Sequence, residues 1–217
     1  MVPQLTPSET RVLGALIEKE LATPEYYPLT MNALVAACNQ RSNRDPVMTL
    51  DEGEVAQALE TLRRRGLARQ SAEGVRAVRF CHSLAERFLL EPAELAIVAE
   101  LLLRGPQTAA ELRSRASRMV EMPGQEEVSR LIEGLTSRDE PLLTLLPREA
   151  GKKERRYAHT FAPIPDSPPS HPPFPDPLAR ARQDADRMET LEREVARLSE
   201  EIAALREEFT RFRTQFE

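Results

Sequence analysis

The chain has 217 residues and a formal net charge of -5, so it holds one large domain or two small ones and offers phosphate no attraction as a whole molecule. A nucleic-acid interface would have to rest on local basic patches. Cys38 and Cys81 stand far apart without C-x-x-C partners, which excludes a zinc or disulfide framework and fits a reducing compartment.

Met1 to Thr6 carries no basic region and no apolar stretch of signal-peptide length, so a cytoplasmic protein is expected. Thr6-Pro7-Ser8-Glu9 then combines an N-cap, a first-turn proline and a capping-box acid ahead of Val12, Leu13, Leu16 and Ile17 at helical spacing. This predicts a helix from about Ser8 to the Thr23-Pro24 stop. Thr30 caps a second helix through Leu34, Val35 and Ala37, and Asp51 to Arg65 form a third, with Val55, Leu59 and Leu62 inward and Gly66 to end it. Leu67 to Ser71 and Val75 to Cys81 read as short strands around Ala72-Glu73-Gly74.

Three helices and a hairpin is the winged-helix order, and it recurs. Pro92-Ala93-Glu94 mirrors Pro7-Ser8-Glu9, with Ile97, Val98, Leu101 and Leu102 in place of the first apolar set. The run Leu95 to Leu103 is broken by Glu100 and falls short of a membrane span. Gly105-Pro106 closes that helix. Thr108 to Glu111 is another capping box, Leu112 and Met119 belong to the next helix, and Val128, Ile132 and Leu135 line a third. Leu142 to Leu146 and Arg156 to Phe161 complete a second hairpin. The fold class is therefore mainly α with small β-hairpins (α+β): winged-helix modules at 1–82 and 83–162, packed through the segment Leu84 to Leu90 because each core alone is marginal.

A Pro-rich linker, 163–179, favours extended polyproline II and serves as a spacer; a Pro-x-x-P ligand is the alternative use. In the last segment, 180–217, Met188, Leu191, Val195, Leu198, Ile202, Leu205, Phe209 and Phe212 alternate spacings of three and four. With 188 as position a, the seam suits a parallel homodimer, and flanking pairs such as Glu201 with Arg206 select its orientation. The alternative is one amphipathic helix folding back on its own modules.

Several longer motifs carry a resemblance: Thr23-Pro24-Glu25-Tyr26-Tyr27-Pro28-Leu29, then Ala37 to Met48, then Glu111 to Met119, and Arg148 to Tyr157. Together they resemble the YceH-like family of bacterial proteins, which implies a tandem winged-helix fold in the bacterial cytoplasm and no activity. The first wing is shorter and less basic than the family's form, which argues against that wing gripping a nucleic-acid backbone.

Candidate nucleic-acid contacts fall in two groups. Asn39, Gln40, Arg41, Asn43 and Arg44 supply side chains suited to phosphate and base edges, or alternatively a structural loop fixed by Asp45 and Pro46. Arg113, Arg115, Arg118, Lys152, Lys153, Arg155 and Arg156 form a basic face if they cluster in space, and a solvated surface otherwise. Arg63-Arg64-Arg65 complements a helix C-terminus. Both third helices open with acids, Asp51-Glu52-Gly53-Glu54 and Glu126-Glu127, which disfavours insertion into a DNA groove.

Catalysis finds no footing. His82, His159 and His171 lack metal-ligand spacing, and no phosphate loop or nucleophile elbow is present. Cys38 follows Val35-Ala36-Ala37, which suits a core thiol better than a nucleophile. The expectation is a non-enzymatic protein without cofactor or metal, a homodimer associated with double-stranded DNA; the alternative is a scaffold whose winged helices bind a protein partner.

Overall fold

The computed structural model describes residues 2–71, 78–148, 154–163 and 197. The Pro-rich linker, the heptad positions from Met188 to Phe212, the Ala72-Glu73-Gly74 turn, Lys152 and Lys153 all lie outside the described residues. The chain divides into a unit of residues 1–168 and a second of 169–217, and the architecture below is that of the first.

The first half of this unit runs through α1 (Pro7–Ala22), a 3-10 turn (Pro24–Tyr26), β1 (Leu29–Thr30), α2 (Met31–Cys38), α3 (Glu52–Arg64), β2 (Ala68–Gln70) and β3 (Arg79–His82). A short α4 (Leu84–Phe88) leads to the second half: α5 (Pro92–Arg104), α6 (Ala109–Ala116), α7 (Gln125–Ser137), β4 (Leu143–Leu145) and β5 (Tyr157–His159). The result is a mixed helical fold with two small antiparallel sheets.

Local chemistry explains the helix limits. Thr6, Asp51 and Thr108 each cap a helix reciprocally with an acid three residues on, Glu9, Glu54 and Glu111, so two orphan backbone donors are satisfied at each start. Pro7 and Pro92 open α1 and α5 where no backbone donor is missed. At the far ends, Gly66 (φ 68°) and Gly105 (φ 71°) adopt a left-handed backbone that a side chain would strain.

The first sheet has the order β1-β3-β2. Leu29 faces Phe80 on one side of β3, and Ala68 faces His82 on the other. The two-residue β1 escapes the sequence reading because it is too short to show an alternation. In the second sheet Leu143 faces His159 and Leu145 faces Tyr157, while an isolated bridge from Gln107 to Tyr157 takes the place that β1 has in the first.

A single apolar core runs through both halves. It draws on Leu13, Leu16 and Ile17 from α1, Leu59 and Leu62 from α3, Ile97, Val98 and Leu101 from α5, and Ile132 and Leu135 from α7. Each such side chain contributes about 1.5–3 kcal/mol on burial. Leu84, Phe88 and Leu90 are buried in this core, but the segment 84–90 is not the main joint expected from the sequence. That joint is α1 against α5: at Gly14 an added Cβ would stand 2.9 Å from the Leu103 side chain and 3.1 Å from Leu102 Cβ, so only glycine permits this approach. The physical reason is the surface each helix has to bury: α1 and α5 are covered nearly all round over their middle turns, whereas α4 has little more than one turn to offer. The two ends of the unit also meet, through the Leu5 amide and the Phe161 carbonyl at 2.5 Å.

Candidate nucleic-acid interface: an arginine-rich seam

The loop after α2 is held shut by its own first residue. Asn39 Oδ1 accepts from the Leu50 amide and its Nδ2 donates to the Leu50 carbonyl, both at 2.7 Å, so Asn39 pins the loop rather than facing outward. Asn43 takes a left-handed backbone (φ 57°), which turns Arg44 back into the protein. There the Arg44 guanidinium donates to Glu18 of α1, to the Ala37 carbonyl at 2.8 Å and to Gln40 Oε1 at 3.1 Å. Its side chain is 0% exposed and that of Glu18 is 1% exposed. Arg11, also on α1, fastens the loop from beneath through the Cys38 carbonyl at 3.1 Å and the Pro46 carbonyl.

The same carboxylate reaches the second half. Arg118, just beyond α6, donates to Glu18 and to Glu100 in the middle of α5, the latter at 2.8–3.0 Å. The loop backbone follows: the Asp45 amide donates to the Leu103 carbonyl at 2.9 Å, and Arg104 donates to Asn43 Oδ1 at 3.2 Å. A second cluster continues along α6. Arg115 bonds Gln107 and pairs with Glu111 at 3.5 Å, and Arg156 reaches Glu111 at 3.1 Å and the Pro106 carbonyl at 2.9 Å.

Burial and charge oppose one another here. Burial pushes the Glu18 carboxyl up, but the hydrogen bonds and charges of Arg44 and Arg118 outweigh it and hold the group below the usual carboxylate range. Burial likewise depresses Arg118, and Glu100 and Glu18 more than restore it, so its cation is reinforced. Arg115 is lowered by burial first and then by the like charge of Arg104. Buried charges of this kind cost several kcal/mol each in desolvation unless paired, and Glu18 sits between Arg44 and Arg118 and Glu111 between Arg115 and Arg156, whereas Glu100 is held by Arg118 through Oε1.

The seam therefore gathers Arg11, Arg44, Arg104, Arg115, Arg118 and Arg156 around Glu18, Glu100 and Glu111. In the pairs with Arg118 the arginine is the solvent-facing member: its side chain is 28% exposed against 1% for Glu18 and 0% for Glu100.

A family model described as "Protein of unknown function, DUF480" matches residues 5–152. The chain belongs to the DUF480 family. It is 56% identical over 215 residues to a UPF0502 protein of Geobacter metallireducens, with 98% of each chain covered. A UPF0502 protein of Geobacter sulfurreducens is 52% identical with the same coverage, and one of Geotalea uraniireducens is 49% identical over the whole of both chains.

Of the basic residues expected at an interface, the structure of this DUF480 chain brings Arg44 together with Arg118 through Glu18, and Arg115 together with Arg156 through Glu111. Arg44 is sealed in and its guanidinium serves the seam from inside; the polar loop is in large part the structural clamp offered above as the alternative. Gln40 is half-buried against Arg44, whereas Arg41 is exposed. Arg113 lies apart, donating to the Pro123 carbonyl at 2.9 Å across the turn between α6 and α7. Arg155 is exposed on the rim of a recess of about 260 Å³ walled by Ala109, Ala110, Gln125, Leu145 and Tyr157.

The sequence reading missed Glu18, Glu100, Arg11 and Arg104. A signal for Glu100 existed: a carboxylate inside an apolar helical run has to find a cation. Among the described residues of this DUF480 chain, no group of three or more His, Cys, Asp and Glu side chains is arranged to hold a metal, and no helix is long and apolar enough to cross a membrane.

Proposed function

We propose that this chain is a non-enzymatic, DNA-associated protein of the bacterial cytoplasm, with the tandem winged-helix architecture that its YceH-like resemblance implies and a C-terminal coiled coil that pairs two copies. The observation that carries the DNA reading is Arg118 in the arginine-rich seam, a solvent-facing guanidinium backed by the buried carboxylates of Glu18 and Glu100. An arginine oriented this way presents a fixed donor fork to a phosphate. Fluorescence anisotropy of the intact protein with a labelled duplex tests it. Binding should fall steeply as salt rises, and Arg41→Gln with Arg104→Gln should flatten that dependence. Absence of salt-sensitive binding at low ionic strength overturns the reading.

A second reading, a scaffold that docks a protein partner through its helices, is favoured by the exposed acids of α3 and α7, Glu52, Glu54, Glu60, Glu126, Glu127 and Glu133, which repel phosphate. The pairing of copies rests on the heptads alone. Leu198→Asp should halve the solution mass, and an unchanged mass removes that part of the proposal.

A further inference from the structure

Two features with opposite signs sit on the same compact unit. Both third helices turn carboxylates to solvent where a winged-helix reader would place base-contacting side chains: Asp51, Glu52 and Glu54 at the start of α3, and Glu126 and Glu127 at the start of α7, all exposed. In α3 the first of these acids is also committed locally, Asp51 Oδ1 accepting from the Glu54 amide at 2.8 Å. At the seam the arrangement is reversed, with Glu18 and Glu100 buried and Arg118 facing out.

We infer that duplex DNA is held across the seam between the two halves by its phosphates alone, with neither α3 nor α7 entering the major groove. The inference rests on the DNA reading given above and names the mode of contact at that site. Phosphate contacts fix position without reading sequence, and base edges are read by side chains in the grooves. Carboxylates at both helix starts meet the phosphate walls of the groove before they meet any base, and they suit only the amino edges, cytosine N4 and adenine N6, not the acceptors N7, O6 and O4.

Arg104, Arg115 and Arg156 lie near one another along the second cluster, with Glu111 and Glu100 offsetting part of their charge at Arg115. Arg104 is tied to Asn43, two residues from the exposed Arg41, so the rim of the seam continues onto the loop of the first half. The joint that frames this rim carries the Asp45–Leu103 backbone bond and the shared Glu18, which tie the loop of the first half to α5 and Arg118 of the second.

The test uses the intact protein and short labelled duplexes of unrelated sequence. The expected result is a set of affinities within about threefold of each other, where a single mismatch in a base-read site costs about 5- to 150-fold. Arg41→Gln and Arg104→Gln should each lower the salt slope by about 1 for every duplex alike. Methylation protection should leave guanine N7 reactive throughout the bound duplex, since N7 lies in the major groove. Protection of guanine N7, or a sequence preference above tenfold that survives both substitutions, overturns the inference and leaves DNA association standing. Absence of salt-sensitive binding to any duplex overturns both.

Discussion

Glu18 and Arg118 lie 100 residues apart in the chain and meet as an ion pair, carboxylate buried and guanidinium at the surface, that joins α1 to the segment after α6. Because Glu18 also holds Arg44, and Arg118 also holds Glu100, four charged side chains from both halves form one network. Removal of Glu18 strands the sealed Arg44 without water and takes one carboxylate from Arg118, so Glu18→Ala should cost about 3–5 kcal/mol and loosen both halves together. Denaturant unfolding followed by far-UV circular dichroism checks this; a loss under 1 kcal/mol would show that the network is not under strain of desolvation.

Gly14→Ala should destabilise the protein by about 1–3 kcal/mol, although alanine favours helix over glycine by about 1 kcal/mol. The added methyl meets Leu103 Cγ and Cδ2 at 2.9 Å, inside the joint of α1 and α5. A thermal melt of the variant that rises above the wild type would refute that account of the packing.

Acid should weaken the fold in two stages. His159 is pushed down to about 4 by burial, and its Nδ1 is buried without a partner among the described residues. Its folded value lies below the ordinary 6.5, so the unfolded chain binds the extra proton first, and stability present above about pH 6.5 is lost as pH falls towards 4. The loss is on the order of 3 kcal/mol. Glu18, held below its usual range, contributes stability above the ordinary carboxylate value that disappears at still lower pH. Denaturant midpoints at neutral and mildly acidic pH should converge in His159→Gln relative to wild type, and an equal acid sensitivity would assign the first stage elsewhere.

Cys38 should be inert to thiol reagents in the folded protein. Burial pushes its thiol up to about 12, against the opposing pull of Arg44 and Arg11. Cys81, also buried and raised, should react slowly. Titration with a chromogenic disulfide, before and after denaturation, reads both; fast reaction of Cys38 in the native state would contradict its placement.

The element order was legible because each start and stop carries its own local chemistry. Thr6, Thr30, Asp51 and Thr108 mark helix starts, and Gly66 and Gly105 mark ends, without help from distant residues. The seam was legible only in part. Arg44 and Arg118 stand out as basic residues in polar stretches, which reads as surface, yet their destinations are Glu18 and Glu100 on the two most buried helices. A one-dimensional pattern records which side chains are charged and not which ones the fold will bring together across a hundred residues. The joint of α1 with α5 was hidden for the same reason: a helix buried nearly all round looks like any core helix until its neighbour is known.

The contact between the Leu5 amide and the Phe161 carbonyl, supported by Gln4 to Thr160 at 2.9 Å, turns the path of residues 5–161 into a closed circuit. A short flexible bridge from residue 163 to residue 4 would span this corner at small entropic cost. The backbone could then be opened elsewhere, for instance in the exposed turn near Gly124, giving a circularly permuted form of residues 4–163 with the same interior and its two ends at the turn between α6 and α7.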